Sequence, residues 1–194
     1  MSPDLSHRSD PDLAALARDK HEGAYRELLR RHKAPLYRFI VKHVGDADEA
    51  MDLTQETFIA AFSALDRYDG IRPFRVWISR IALNKCRDWG RRRKVRAFFS
   101  RALPLENAHH IASDIPLPEM EVADRLEMAR VRQAVTALPA KLREVLILRS
   151  LDEFSQAETA ALLRVSEKTV ETRLYRARAR LRELLERANA HPGD

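Results

Sequence analysis

Apolar residues recur along this chain at spacings of three and four with polar residues between them, the pattern of amphipathic helices. Leu13, Leu16, Tyr25, Leu28 and Leu29 fit one helical face, and Pro35 suits the first turn of a second helix running through Val44. Asp46, followed three residues later by Glu49, reads as an N-cap with a capping-box partner. The helix it starts places Ala50, Leu53, Phe58, Ala61, Phe62 and Leu65 on one stripe. Residues 68–72 read as a loop, and Pro73 suits the first turn of the next helix. That helix buries Trp77, Ile78, Ile81, Ala82, Cys86 and Trp89 at helical spacing.

The same period returns further on. Leu126, Ala129, Val131 and Val135 predict a helix that stops near Leu138, before Pro139, which disfavours helix at the residue ahead of it. Leu142, Val145, Leu146 and Leu148 predict another. Ser155 with Glu158 is a second capping box, opening a short helix, and Ser166 caps a last one with the stripe Val170, Leu174, Ala177, Leu181 and Leu185. Alternating Val/Ile/Thr strands with Asn-Gly turns are absent. The expectation is an all-α chain of two small helical domains, about 12–100 and 125–189, the second containing a helix-turn-helix.

Charge changes this picture because it is not spread evenly. From Arg72 to Arg101 there are 11 basic residues against one acid, Asp88. From Ala102 to Asp124 there is no Lys or Arg, while Glu106, Asp114, Glu119, Glu121 and Asp124 give five acids. That stretch also carries Pro104, Pro116 and Pro118, so residues 101–124 read as an extended acidic linker. The net charge of +6 favours a polyanionic partner. A single Cys, Cys86, excludes an internal disulfide and a Cys-cluster metal site. Walker, GxSxG and HExxH patterns are absent, so neither catalysis nor a cofactor is expected. His109 and His110 lie together without further ligands, and no metal is expected there. No apolar run approaches bilayer length and no signal pattern opens the chain, so a cytoplasmic protein without membrane insertion is expected.

Three surfaces are candidates for binding. In SQAETAALLRVSEKTVETRLYRAR, residues 155–178, the second helix exposes Lys168, Thr172, Arg173, Tyr175 and Arg176 around its first turns, where a recognition helix meets base edges and phosphates. A helical hairpin with a solvated face is the alternative. In WISRIALNKCRDWGRRRK, residues 77–94, Arg80, Asn84, Arg87 and Arg91 share the side opposite the apolar one, and Arg92, Arg93 and Lys94 follow. Acids at i±4, which normally lace an exposed basic face, are nearly missing, which favours phosphates over solvent as its partner. In DLTQETF, residues 52–58, Asp52, Gln55 and Glu56 form an isolated acidic and amide face; a protein partner and plain solvation fit it equally.

The segments PLYRFIVKHVGDADEAMDLTQETFIAAFSAL, FRVWISRIALNKCRDWGRRRK and ALPAKLREVLILRSLDEFSQAETAALLRVSEKTVETRLYRARARL, in this order and spacing, resemble a bacterial RNA polymerase sigma factor of the two-domain, extracytoplasmic-function (ECF, group IV) type. The resemblance spans about residues 22–188. It implies that residues 12–100 are region 2, which docks on the β′ clamp helices of core RNA polymerase through Asp52, Gln55 and Glu56. Region 2 also opens the −10 element, and by position a flipped base falls beside Tyr68, Ile81 and Asn84. Arg80, Arg87, Arg91, Arg92 and Arg93 would hold the DNA there. Residues 125–189 would be region 4, reading the −35 element through Lys168, Thr169, Thr172, Arg173, Tyr175 and Arg176 and meeting the β flap. The acidic linker would lie in the RNA path. An anti-sigma factor is the expected regulator. This sequence departs from the family where members often carry Gly, at Lys168 and at Arg164 in the turn, and at Glu171, where Lys or Arg is usual.

Overall fold

A computed structural model describes residues 5–102 and 122–190, and every regular element among them is helical. The chain divides into two compact units, Met1–Asp114 and Ile115–Asp194, each with its own core. The linker acids Glu106, Asp114, Glu119 and Glu121 and the pair His109–His110 lie outside the described residues.

In the first unit, α1 spans Asp10–Arg18, α2 Glu22–Val44, α3 Ala47–Ser63 and α4 Phe74–Ala102. Two boundaries differ from the apolar pattern. The single stripe from Leu13 to Leu29 is broken into α1 and α2, because Lys20 adopts a left-handed backbone, φ 64°. The N–H of His21 then reaches the carbonyl of Leu16 and that of Lys20 the carbonyl of Ala17, closing α1 in a Schellman arrangement. Pro35 does not start a helix but sits inside α2. It is exposed, so the carbonyl one turn earlier that loses its donor lies on the side open to water. Leu28, Leu36, Phe39 and Ile40, all buried, hold the helix on both sides of it. Tertiary burial at about 1.5–3 kcal/mol per large apolar side chain outweighs the roughly 3 kcal/mol cost of an internal proline.

α2 packs against α1, α3 and α4, and α3 packs on α4. Leu13, Leu28, Ile40, Leu53, Phe58, Phe74, Ile78 and Leu83 form the interior. Asp46 caps α3 by accepting from the N–H of Glu49 at 3.0 Å. α1 is fastened to α2 by Arg31. Its guanidinium donates to Asp10 at 2.9 Å, to the Arg8 and Ser6 carbonyls, and through Nε to Glu27 at 2.7 Å. His32 meets the other Asp10 oxygen at 2.7 Å.

The second unit holds α5 (Val122–Ala137), α6 (Ala140–Leu146), α7 (Gln156–Leu163) and α8 (Glu167–Ala190). α6 runs on into a π-helical turn, Ile147–Leu151. α8 packs against α5, α6 and α7. Leu138, Val145, Leu146, Leu148, Phe154, Leu162, Val170 and Ala177 make the core. At Ser155 the capping box is complete, its hydroxyl accepting from Glu158 N–H and Glu158 accepting from Ser155 N–H. The helix ends that frame the linker reach slightly into it, since residues 101–102 belong to α4 and 122–124 to α5.

Candidate nucleic-acid and protein interfaces

α7, the turn 164–166 and α8 form the expected helix-turn-helix segment. Arg164 makes the turn with a left-handed backbone, φ 56° and ψ 49°, a conformation that glycine adopts without strain and other residues at about 1–2 kcal/mol. Val165 N–H closes the end of α7 on the Ala160 carbonyl at 3.1 Å. Ser166 Oγ accepts from Thr169 N–H at 3.2 Å and meets the Thr169 hydroxyl at 2.9 Å, so Thr169 is engaged in the cap of α8. Val170 and Ala177 are fully buried and fix which side of α8 faces outward. Lys168, Thr172, Tyr175 and Arg176 are exposed on that side, Tyr175 at 76%, while Arg173 is half-buried. The Thr172 hydroxyl donates to the Lys168 carbonyl at 2.9 Å. Lys168 pairs with Glu171 at 3.4 Å.

In the first unit, α4 buries Phe74, Val76, Ile78, Ala82, Leu83, Cys86 and Trp89. Ile81 is half-buried, as is Trp77. Asn84 is exposed, Arg80 and Arg87 are half-buried beside it, and Arg91, Arg92, Arg93 and Lys94 are exposed. Arg91 pairs with Asp88, and the Arg93 guanidinium lies 5.2 Å from the Trp89 ring centroid. The loop ahead of α4 is built on Tyr68, which the structure places under the surface rather than on it, 4% exposed. Its ring packs edge-on to Phe74 at 5.3 Å and tilted on Trp77 at 5.3 Å, and its hydroxyl donates to the Arg72 carbonyl at 2.8 Å. Burial, aided by Asp10 and Asp69, pushes that hydroxyl's pKa upward. Asp69 accepts from Ile71 N–H at 3.0 Å, and Gly70, φ 71°, makes the tight turn between them. Ile71 is left 86% exposed at the tip, a residue that helical periodicity could not single out because it lies in a loop.

Asp52, Gln55 and Glu56 are all exposed on α3. Two apolar residues join them, Met51 at 41% and Ile59 at 68% exposure. At 100° per residue Ile59 falls between Gln55 and Asp52 on the helix surface. The stripe reading missed both because each breaks the buried pattern; an apolar residue out of register was the signal. This face is not isolated from the basic residues. Lys85 of α4 pairs with Glu56 at 2.9 Å. Beside them runs a groove of about 570 Å³. Glu49, Asp52 and Glu56 form one wall, Arg91, Arg92 and Arg96 the other, with Leu53, Trp89 and Val95 between. Trp89 Nε1 is buried there without an acceptor among the described residues.

Among the described residues no group of His, Cys, Asp and Glu is placed to hold a metal ion, and no helix is long and apolar enough to cross a membrane. The described surfaces are thus an acidic and apolar ridge on α3 and arginine-rich outer sides on α4 and α8. Residues 28–96 match the family model for sigma-70 region 2, and residues 128–181 that for sigma-70 region 4. RNA polymerase sigma factor CnrH of Cupriavidus metallidurans is 42% identical over 181 residues, 92% of this chain and 95% of that protein. ECF RNA polymerase sigma factor SigW of Bacillus subtilis is 32% identical over 84% of this chain and 90% of its own length. The structure of CnrH in complex with the cytosolic domain of CnrY aligns at TM-score 0.66 and 36% identity, covering 91% of this chain and 97% of that one. That of RpoE with the anti-sigma factor NepR, from Bartonella quintana, aligns at TM-score 0.63 and 25% identity, covering 84% and 96%. The chain belongs to the sigma-70 family of RNA polymerase sigma factors, among those of ECF type.

Proposed function

We propose that this sigma factor divides its work among three surfaces. The α3 ridge of Met51, Asp52, Gln55, Glu56 and Ile59 docks on the β′ clamp helices of core RNA polymerase. The outer side of α4, with Asn84 and Ile81, and the loop that Tyr68 supports from below take the melted −10 strand, with Arg80 and Arg87 on its phosphates, and the Arg91, Arg92 and Arg93 end of the helix meets duplex backbone. The first turns of α8 read the −35 element, with the β flap as that unit's polymerase partner. The factor itself does no chemistry; it lends recognition and strand opening to the polymerase, in the cytoplasm.

The observation that carries this reading is the pairing of two unlike faces on one small unit. An acid-and-apolar ridge on α3 suits a protein partner better than a phosphate backbone, because its carboxylates repel phosphate and its apolar side chains need a dry contact. A helix with Arg91, Arg92, Arg93 and Lys94 exposed in succession suits phosphate and gives salt-dependent affinity. A stand-alone helix-turn-helix regulator would use the second unit and leave the α3 ridge without a partner. An anti-sigma factor that covers these faces is the expected regulator, as two related sigma factors are held in complexes with the cytosolic domain of CnrY and with NepR.

Run-off transcription with purified bacterial core polymerase, with and without the protein, on genomic fragments tests the assignment. Discrete transcripts that need the protein are expected. No transcripts, together with failure to bind core polymerase, would leave only the stand-alone regulator.

A further inference from the structure

From Lys168 to Arg182, α8 carries six basic residues and one acid, Glu171. Two other acids of the helix, Glu167 and Glu183, have ordinary roles. Glu167 sits in the first turn, where the helix dipole favours a carboxylate, and Glu183 pairs with Arg180 further along. Glu171 is 61% exposed and lies one turn from Tyr175 on the outward side of the helix. As a solvated ion pair with Lys168 it would contribute a few tenths of a kcal/mol. Against the phosphates lining a major groove it would cost affinity.

The groove contains one partner that reverses this sign. A carboxylate only accepts hydrogen bonds, and the major-groove edge presents amine donors at cytosine N4 and adenine N6. Adenine sets its N7 acceptor beside that amine and so repels a carboxylate; cytosine presents the amine alone. Lys168, 3.4 Å from the Glu171 carboxylate, offsets part of its charge during approach and draws it towards the preceding turn.

We propose that Glu171 is a specificity residue of the −35 reader, accepting a hydrogen bond from the N4 amine of a cytosine at one position of the element, with Lys168 as its positioning residue. This rests on the assignment of α8 to the −35 element. Discrimination at that one position should be about ten- to hundredfold. Glu171→Gln changes the code in a defined direction, because an amide matches the paired donor and acceptor of adenine.

Selection from a promoter library with a randomised −35 element, using the full chain with core polymerase, reads this directly. The wild type should enrich cytosine at one position; Glu171→Ala should lose that preference with equal or higher affinity for the remaining sequences; Glu171→Gln should move it to adenine. Lys168→Ala should weaken the cytosine preference without relocating it. Identical −35 profiles for wild type and Glu171→Ala would overturn the proposal while leaving the −35 assignment intact. A wild type that enriches nothing at −35 would overturn both.

Discussion

Asn84 and Tyr68 show how much burial decides at the scale of one residue. Asn84 is exposed on α4, while Tyr68, in the loop ahead of that helix, is sealed among Phe74 and Trp77. A side-chain amide can pair with a base edge; a buried phenol that already donates to the Arg72 carbonyl can only shape the site. Asn84→Ala should therefore impair opening of promoters carrying the native −10 base more than promoters with a neutral base there. Permanganate footprinting of both promoter sets would measure it, and equal loss on both would remove base reading from Asn84. Glu27 is a structural counterpart. Hydrogen bonds from Arg30 and then Arg31 hold its pKa at about 2, below the usual 4.5. A carboxyl depressed on folding stabilises above its unfolded pKa and loses that contribution as pH falls from about 4.5 towards 2. Urea denaturation across that range should show Glu27→Gln with a shallower loss of stability than wild type; parallel curves would contradict the assignment.

At the scale of an element, α3 and α4 share one groove and carry opposite chemistry across it. Docking through α3 should then depend on the apolar ridge as well as on the acids, because a desolvated apolar anchor at an interface centre outweighs rim charges. Ile59→Ala is expected to weaken core-polymerase binding by at least as much as Gln55→Ala with Glu56→Ala, with melting temperature unchanged in either case. Affinity measured by fluorescence anisotropy checks it; wild-type affinity in both variants would remove α3 from the dock. The Glu56–Lys85 pair has one side chain half exposed, and such pairs contribute about 0–1 kcal/mol, so loss of Glu56 should not unfold the unit.

At the scale of the whole molecule, 17 of the 35 Lys and Arg residues lie on α4 and α8, which makes promoter affinity a counterion-release problem. Taking one cation away from a DNA phosphate should lower the slope of log affinity against log salt by about one. Replacing Arg91, Arg92 and Arg93 together by Ala should lower the slope of holoenzyme binding by about two to three, whatever the promoter sequence. An unchanged slope would place these arginines off the DNA.

Apolar period and capping signals by themselves determined that the regular elements of the described residues are helices, where α3, α7 and α8 begin, and which side of α3 and α8 faces inward, because both signals are local. In α5 the expected stripe member Ala129 is exposed and Ala134 is buried instead. Charge order alone separated the basic helix from the acidic stretch that follows it. Other features were decided only by tertiary structure. Lys20 breaks one stripe into two helices through a left-handed turn, and Pro35 lies inside a helix that its packed neighbours keep continuous. Tyr68 was drawn into the core, and Ile59 was left out of it at the centre of a charged ridge. The acids of α3 face the arginines of α4 although a loop and several helical turns separate them along the chain. Periodicity reports which side of a helix is apolar; which helix then covers it, and what stands across the resulting groove, is fixed by packing between residues distant in the chain.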